Sequence, residues 1–146
     1  MVSKGNLNTY LVFINSAISK INKNGKIGLI VPSGFSTDDT SKYLFQYCIK
    51  QNILETIFDF ENRNLFFQAE RNLRFSLITL NNNKKGTNVS LAFGLTEVRH
   101  LQDEEKLYSL STEDFEILNP NTLNCPVFVN RKDVGLVKSI YQKSKI

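Results

Sequence analysis

The chain has no tryptophan, one histidine, one methionine, three prolines and two cysteines in 146 residues, and each scarcity removes a class of chemistry. Cys48 and Cys125 lie far apart, and neither has a second cysteine or a histidine at metal-ligand or redox spacing, so both read as reduced thiols. His100, the lone histidine, cannot build a histidine metal site and reads as a surface residue. No apolar run approaches the ~18 to 20 residues that a membrane span requires, and no charged-then-apolar signal opens the chain. The expectation is a soluble, cytoplasmic protein with no metal and no membrane partner. No glycine-rich phosphate cradle of either common spacing occurs. Ser33 lacks the glycines of a nucleophile turn. Asp38-Asp39 and Asp103-Glu104-Glu105 read as a helix cap and a solvated run. Composition and spacing therefore reveal no complete active site and no catalytic residue.

What the chain has in plenty is apolar and aromatic bulk. With 41% apolar residues, 11 Phe and 5 Tyr, it can bury one ordinary core. Its net charge of +4 and pI near 9.1 fit a nucleic-acid partner without requiring one.

Periodicity supplies the elements. Leu7, Leu11, Ile14, Ile18 and Ile21, widened by Tyr10, Phe13 and Ala17, mark a helix, with Asn24-Gly25 as its left-handed stop. Ile27 to Val31 has no polar side chain, which predicts a strand covered on both faces and ended by Pro32. Ser36 to Asp39 offer cap oxygens for a second helix with Tyr43, Leu44, Tyr47, Cys48 and Gln51 inward. Ile53 to Phe60 is a second strand, parallel to the first and beside it across a crossover. Leu73 to Leu80 is a third, antiparallel to the second, with Leu73, Phe75, Leu77 and Thr79 on one face. After the polar turn Asn81 to Gly86, Val89 to Leu95 makes a fourth strand, in the same sheet or leaving it. Ser111 to Asp114 reads as a helix cap, Asn119 to Thr122 as turn chemistry, and Arg131 to Lys143 as a last helix burying Val134, Val137, Ile140 and Tyr141.

The stretch from Glu61 to Leu73 is long for a hairpin connection. It sets Arg63, Arg71 and Arg74 around Leu65-Phe66-Phe67, the residue types that hold phosphates and stack an unpaired base. Spacing leaves open whether the two phenylalanines do this or anchor the loop in the core. Lys84, Lys85, Arg131 and Lys132 are further candidates for DNA contact.

Four segments resemble N6-adenine DNA methyltransferases of the type IIG restriction-modification and large phage-defence kind. They are Asn8-x-Tyr10-x-x-Phe13, Lys26 to Asp39, Phe58-Asp59-Phe60-Glu61-Asn62 to Leu65-Phe66, and Leu118-Asn119-Pro120-Asn121-Thr122 through Cys125-Pro126-Val127-Phe128 to Arg131-Lys132-Asp133. The resemblance implies an α/β fold: part of a class I, Rossmann-like methyltransferase sheet, its last three strands with a β-hairpin, plus an irregular and helical C-terminal extension. It divides the chain into 1–96, the C-terminal half of a catalytic domain, and 97–146, leading toward a target-recognition region. It implies that Phe13 packs on the adenine of S-adenosylmethionine and that Phe66 stacks on the flipped target adenine, with Phe67 beside it where relatives often carry proline. The family's glycine-rich cofactor motif and its Asn-Pro-Pro-Tyr/Phe motif do not occur in this sequence. The expectation is therefore a fragment of an S-adenosylmethionine-dependent enzyme, inactive alone, that does not hold the cofactor tightly. Its expected partners are double-stranded DNA, through the parent enzyme, and the missing N-terminal catalytic half. A homodimer is also expected, because half a sheet leaves an edge and apolar faces open. The alternative is a non-catalytic DNA-binding or self-associating module.

Overall fold

A computed structural model describes residues 8–120 and 124–143; Leu7, Asn121 and Thr122, named above, fall outside them. Five strands form one sheet in the order β1-β3-β2-β4-β5. They are β1 (Lys26–Pro32), β2 (Leu54–Glu61), β3 (Arg74–Asn81), β4 (Val89–Leu95) and β5 (Tyr108–Leu110). The helices are α1 (Thr9–Lys20), α2 (Gly34–Thr37), α3 (Lys42–Lys50), α4 (Thr112–Leu118) and α5 (Arg131–Lys143). β3 runs antiparallel to both β1 and β2, and β4 pairs parallel to β2. The first two strands thus share a direction but are not the neighbours that a simple crossover predicts. The seven residues of β1 pair with β3 from Lys26↔Asn81 to Pro32↔Phe75, and this places β3 between them.

α1 buries Leu11 and Ile14 as its spacing requires, and leaves Phe13 outside. Its end differs from expectation. Ile21 is already extended, at φ −70° and ψ 129°, so the chain has left the helix before Asn24-Gly25 is reached. Gly25 serves close approach instead: a Cβ there would lie 3.0 Å from Ile21 Cγ1. β1 also departs from prediction. It is an edge strand whose second face is open, with Ile30 60% exposed and only Val31 fully buried. Its apolar run matches a central strand, yet among the described residues no strand pairs with its outer edge.

The face of α3 is rotated by one residue from the expected one. Leu44, Phe45, Cys48 and Ile49 are buried, whereas Tyr43 and Tyr47 are half exposed and Gln51 is exposed. The cause is the short turn α2, which buries Phe35 and Ser36 and delays the start of α3. Ser41 precedes α3 without capping it; its hydroxyl donates to the carbonyls of Gly34 (2.5 Å) and Asp38 (2.9 Å). Ser36 to Asp39 therefore do not cap this helix. Phe45 lies edge-on to Phe35 (5.8 Å) and to Phe115 of α4 (5.9 Å), joining three helices over the sheet.

β4 stays in the sheet and β5, not foreseen, extends it through Val89↔Leu110 to Leu91↔Tyr108. The first of the two alternatives for β4 therefore holds, and the sheet is one strand wider than the four read from the sequence. Gly94, at φ +69°, occupies the left-handed region where the β2–β4 register shifts. Tyr108, Leu110, Phe115, Leu118, Cys125 and Val134 all enter the core cluster that holds Ile14, Phe45 and Ile57. α5 buries less than its pattern suggested: Val134 is inside, Val137 half so, and Ile140 and Tyr141 are exposed. A second, smaller cluster on the other face joins Phe60, Phe75, Ala92 and Leu95.

α4 starts on a full capping box, with Ser111 Oγ accepting from Asp114 N (3.2 Å) and Asp114 Oδ2 accepting from Ser111 N (2.8 Å). Lys138 of α5 donates to the same carboxylate at 2.6 Å. Burial pushes the Asp114 carboxyl up, but Lys138 and the Ser111 backbone outweigh it and hold it below its ordinary 3.8. A depressed folded pKa means that this contribution is complete above the unfolded value and is lost as pH falls through the folded one. Ser111→Ala is expected to cost about 1 kcal/mol, read as a shift in urea midpoint at neutral pH. An unchanged midpoint would contradict the cap.

Candidate functional site

The loop of residues 62–73 leaves β2 and returns on β3, at one end of the sheet. A 3-10 turn over Asn62–Asn64 opens it, and Leu65 follows in the left-handed region at φ 54° and ψ 52°. A leucine pays for that conformation with steric strain, so the surroundings must hold it. Leu65 N donates to Asn62 O (2.9 Å), and Asn64 Nδ2 donates to Thr96 O (3.1 Å).

Beyond Leu65, Phe66 and Phe67 stand on an aromatic base. Phe60 and Phe75 stack face to face at 5.5 Å with 12° between their planes. Phe66 meets both edge-on, at 5.5 and 5.7 Å, and Phe67 meets Phe75 at 4.9 Å. Phe66 is 37% and Phe67 40% exposed. Each ring is thus anchored on the Phe60–Phe75 pair and exposed in part on its remaining surface.

Beside these rings, Glu61, Arg63, Arg71, Asn72 and Arg74 line an open cavity of about 360 Å³. Arg63 pairs with Glu61. Arg74 pairs at 2.6 Å with Asp59, whose carboxylate is fully buried. Arg71 forms no salt bridge among the described residues, leaving it the freest cation of the three. Asp59 also accepts from Ser33 Oγ, at the end of β1, and from Ser76 Oγ at 2.9 Å. One carboxylate thus ties together the ends of β1, β2 and β3 below the loop. A buried charge with these donors is satisfied.

The other candidates lie elsewhere. Lys84 and Lys85 are in the turn after β3, separated from the loop by that eight-residue strand, about 23 Å. Lys84 is half buried and donates to Asn52 Oδ1 at 3.1 Å; burial lowers its pKa and Glu55 partly opposes this. Arg131 and Lys132 open α5. Arg131 N donates to Glu105 O (2.7 Å), and Lys132 Nζ lies 3.3 Å from Glu105 Oε1. Arg131 also borders a cavity of about 650 Å³, lined as well by Thr56, Phe58, Ser90 and Ser109. Phe13, on α1, is 66% exposed. The seven cations therefore fall into three groups, and only Arg63, Arg71 and Arg74 adjoin the aromatic pair.

Two residues that shape the site were not singled out by sequence reasoning. Asp59 and Asn62 are fully buried polar groups, the first inside β2 between Phe58 and Phe60 and the second just after its end. A carboxylate between Phe58 and Phe60 was the available signal, because a buried charge must be paired. The cysteines add no chemistry: both are buried and free, and burial pushes the Cys48 thiol up to about 12 and raises that of Cys125 as well. No cluster of metal ligands occurs among the described residues, and no described helix is long and apolar enough to cross a membrane.

Residues 1–66 match the Eco57I restriction-modification methylase family. Curated proteins gave no match. Among solved structures, the fold is similar to that of the type IIG restriction endonuclease BpuSI, with TM-score 0.62 and 17% identity, over 82% of this chain and 16% of that one. It is also similar to a type I restriction-modification methyltransferase subunit from Streptococcus thermophilus, with TM-score 0.60 and 14% identity, over 81% of this chain and 30% of that one. A third likeness, to a chain from a type I restriction-modification assembly, has TM-score 0.64 and 11% identity and spans 99% of this chain and 40% of the other. At such identities the structural likenesses establish the fold. The chain spans less than half the length of each of these proteins.

Proposed function

We propose, from the match of residues 1–66 to the restriction-modification methylase family, that the chain is one section of an S-adenosylmethionine-dependent DNA adenine-N6 methyltransferase. Its task in that enzyme is to receive the target base. The observation that carries this reading is the pair of half-exposed rings, Phe66 and Phe67, on the Phe60–Phe75 stack beside an arginine-lined cavity. Methylating a base inside a duplex requires taking it out of the stack, and an aromatic face is what receives it. Arg63 and Arg71 are placed to hold the flanking phosphates, while Arg74 divides its charge between the cavity and Asp59.

Phe13 suits the cofactor role in one respect, since its ring is exposed on α1 and free to pack on an adenine. Bound S-adenosylmethionine supplies an electrophilic methyl group. What this chain contributes is a wall for the cofactor and a platform for the base. The positioning of the target amino group falls to an Asn-Pro-Pro-Tyr/Phe segment, absent from this sequence. The open edge of β1, with Ile30 exposed, is the surface on which a complementary catalytic half would add its strand. A second copy of the chain is the competing occupant of that edge.

The test is methyl transfer from S-adenosylmethionine to DNA by this chain alone and by the chain combined with an upstream half carrying the missing motifs. Negligible activity alone and activity in the mixture are expected, and Phe66→Ala in the mixture should lower the rate about 10- to 100-fold. Methylation by the chain alone would overturn the division of labour. A Phe66→Ala mixture as active as wild type would overturn the assignment of the base platform.

A further inference from the structure

The loop that carries Phe66 and Phe67 has no regular secondary structure after its opening turn, yet it presents both rings in one arrangement. One residue, Asn62, takes part in most of its internal bonding; the other bonds run from Ala69 N to Phe67 O (2.8 Å) and from Leu73 N to Glu70 O (3.1 Å). Asn62 is fully buried. Its Nδ2 donates to the carbonyls of Phe67 (3.1 Å), Ala69 (3.3 Å) and Glu70 (3.1 Å), and its Oδ1 accepts from Phe67 N (3.0 Å). Its own backbone closes the loop at both ends, with Asn62 N donating to Leu73 O (2.9 Å) and Asn62 O accepting from Leu65 N (2.9 Å).

This is the work that β-ladder bonds do elsewhere, transferred to a single amide. Buried backbone groups must find partners, and a loop passing over the Phe60–Phe75 stack has no adjacent strand to supply them. Only a carboxamide offers an acceptor and two N–H donors on a short stem. Aspartate has nearly the same shape, but as a carboxylate it would face three carbonyl oxygens that it cannot bond. Alanine would leave the Ala69 carbonyl and the Phe67 N–H without these partners, and would strip the Phe67 and Glu70 carbonyls back to the single bonds they accept from Ala69 N (2.8 Å) and Leu73 N (3.1 Å).

We propose that Asn62 is the positioning residue of the base platform: by gripping Phe67 at both its N–H and its carbonyl, it fixes Phe66 and Phe67 at the angle at which a flipped base is stacked. This rests on the base-receiving role proposed above. Asn62 touches no base itself and acts through the two rings. Asn64, which fastens the same loop to Thr96 without touching Phe67, holds the loop to the body and does not set the rings.

The experiment uses the full chain and a DNA duplex bearing one extrahelical 2-aminopurine, whose emission is quenched when an aromatic ring stacks on it. Wild type, Asn62→Asp and Asn64→Ala are compared for quenching at saturating protein, for salt dependence of binding, and for amide hydrogen exchange at Phe67 and Leu73. In Asn62→Asp the Phe67 amide loses protection and stacking weakens about tenfold, while the salt dependence, set by the arginines, is unchanged. Asn64→Ala keeps the quench. Equal quenching by Asn62→Asp and wild type overturns the inference and leaves the platform standing. Equal loss in both variants also overturns it, since that would be general loosening of the loop. If wild type does not quench, the base-receiving role falls. The exchange data then judge Asn62 alone: retained protection of Phe67 in Asn62→Asp overturns its role as organiser of the loop, and loss supports it.

Discussion

Replacing Arg74 with methionine is expected to lower the unfolding free energy by about 2 to 4 kcal/mol. Methionine keeps most of the stem's apolar contact and removes the charge, leaving the fully buried Asp59 carboxylate with hydroxyl donors alone. Breaking one partner out of a buried ion pair costs about 3 to 5 kcal/mol. Arg74 is itself 47% exposed, so solvent screens the pair and shifts the expected cost below that range, to about 2 to 4 kcal/mol. Urea denaturation at neutral pH measures the loss as a fall in midpoint at unchanged slope. A change below about 1 kcal/mol would mean that Ser33 and Ser76 satisfy Asp59 unaided. The result also bears on DNA contact, because a guanidinium committed to Asp59 is less available to a phosphate than Arg71 is.

Phe45→Ala should be more damaging, at about 3 to 5 kcal/mol. The ring is fully buried and lies edge-on between Phe35 and Phe115, so its loss opens a cavity and removes two aromatic contacts at once. Its neighbours come from α2 and α4, at positions 35 and 115, 80 residues apart in sequence. The expected outcome is a single unfolding transition, shifted as a whole, whether followed near the start of the chain or at α4. A probe on α4 that melted separately would show that 97–146 behaves as a distinct unit.

How much of this was readable beforehand depends on where the deciding information lies. The helical stripe of α1, the strands, the capping box at Ser111 and the start of α5 are written in local spacing, and the fold follows it. The inward face of α3 was misread because the intervening turn α2 takes Phe35 into the core, an event decided by tertiary packing. β5 is three residues long, too short to show alternation. The apolar run of β1 was read as evidence of cover on both faces, whereas the described residues supply only one neighbour and one covered face. At the site, residue types were legible and geometry was not. Three arginines and two phenylalanines could be named from the loop, but their support on Phe60 and Phe75, and the roles of Asp59 and Asn62, depend on strand register. Lys84 and Lys85 looked equivalent to the loop arginines until β3 placed them at the far end of the sheet.

The open edge of β1 has a consequence for handling the protein. Ile27 to Val31 form a charge-free, strand-prone run whose outer side pairs with no strand among the described residues, the type of segment that templates cross-β stacking between chains. Its flanks oppose this. Lys26 brings charge at one end, and Pro32 has no N–H to extend a ladder at the other. These two residues stand as gatekeepers at the two ends of that edge.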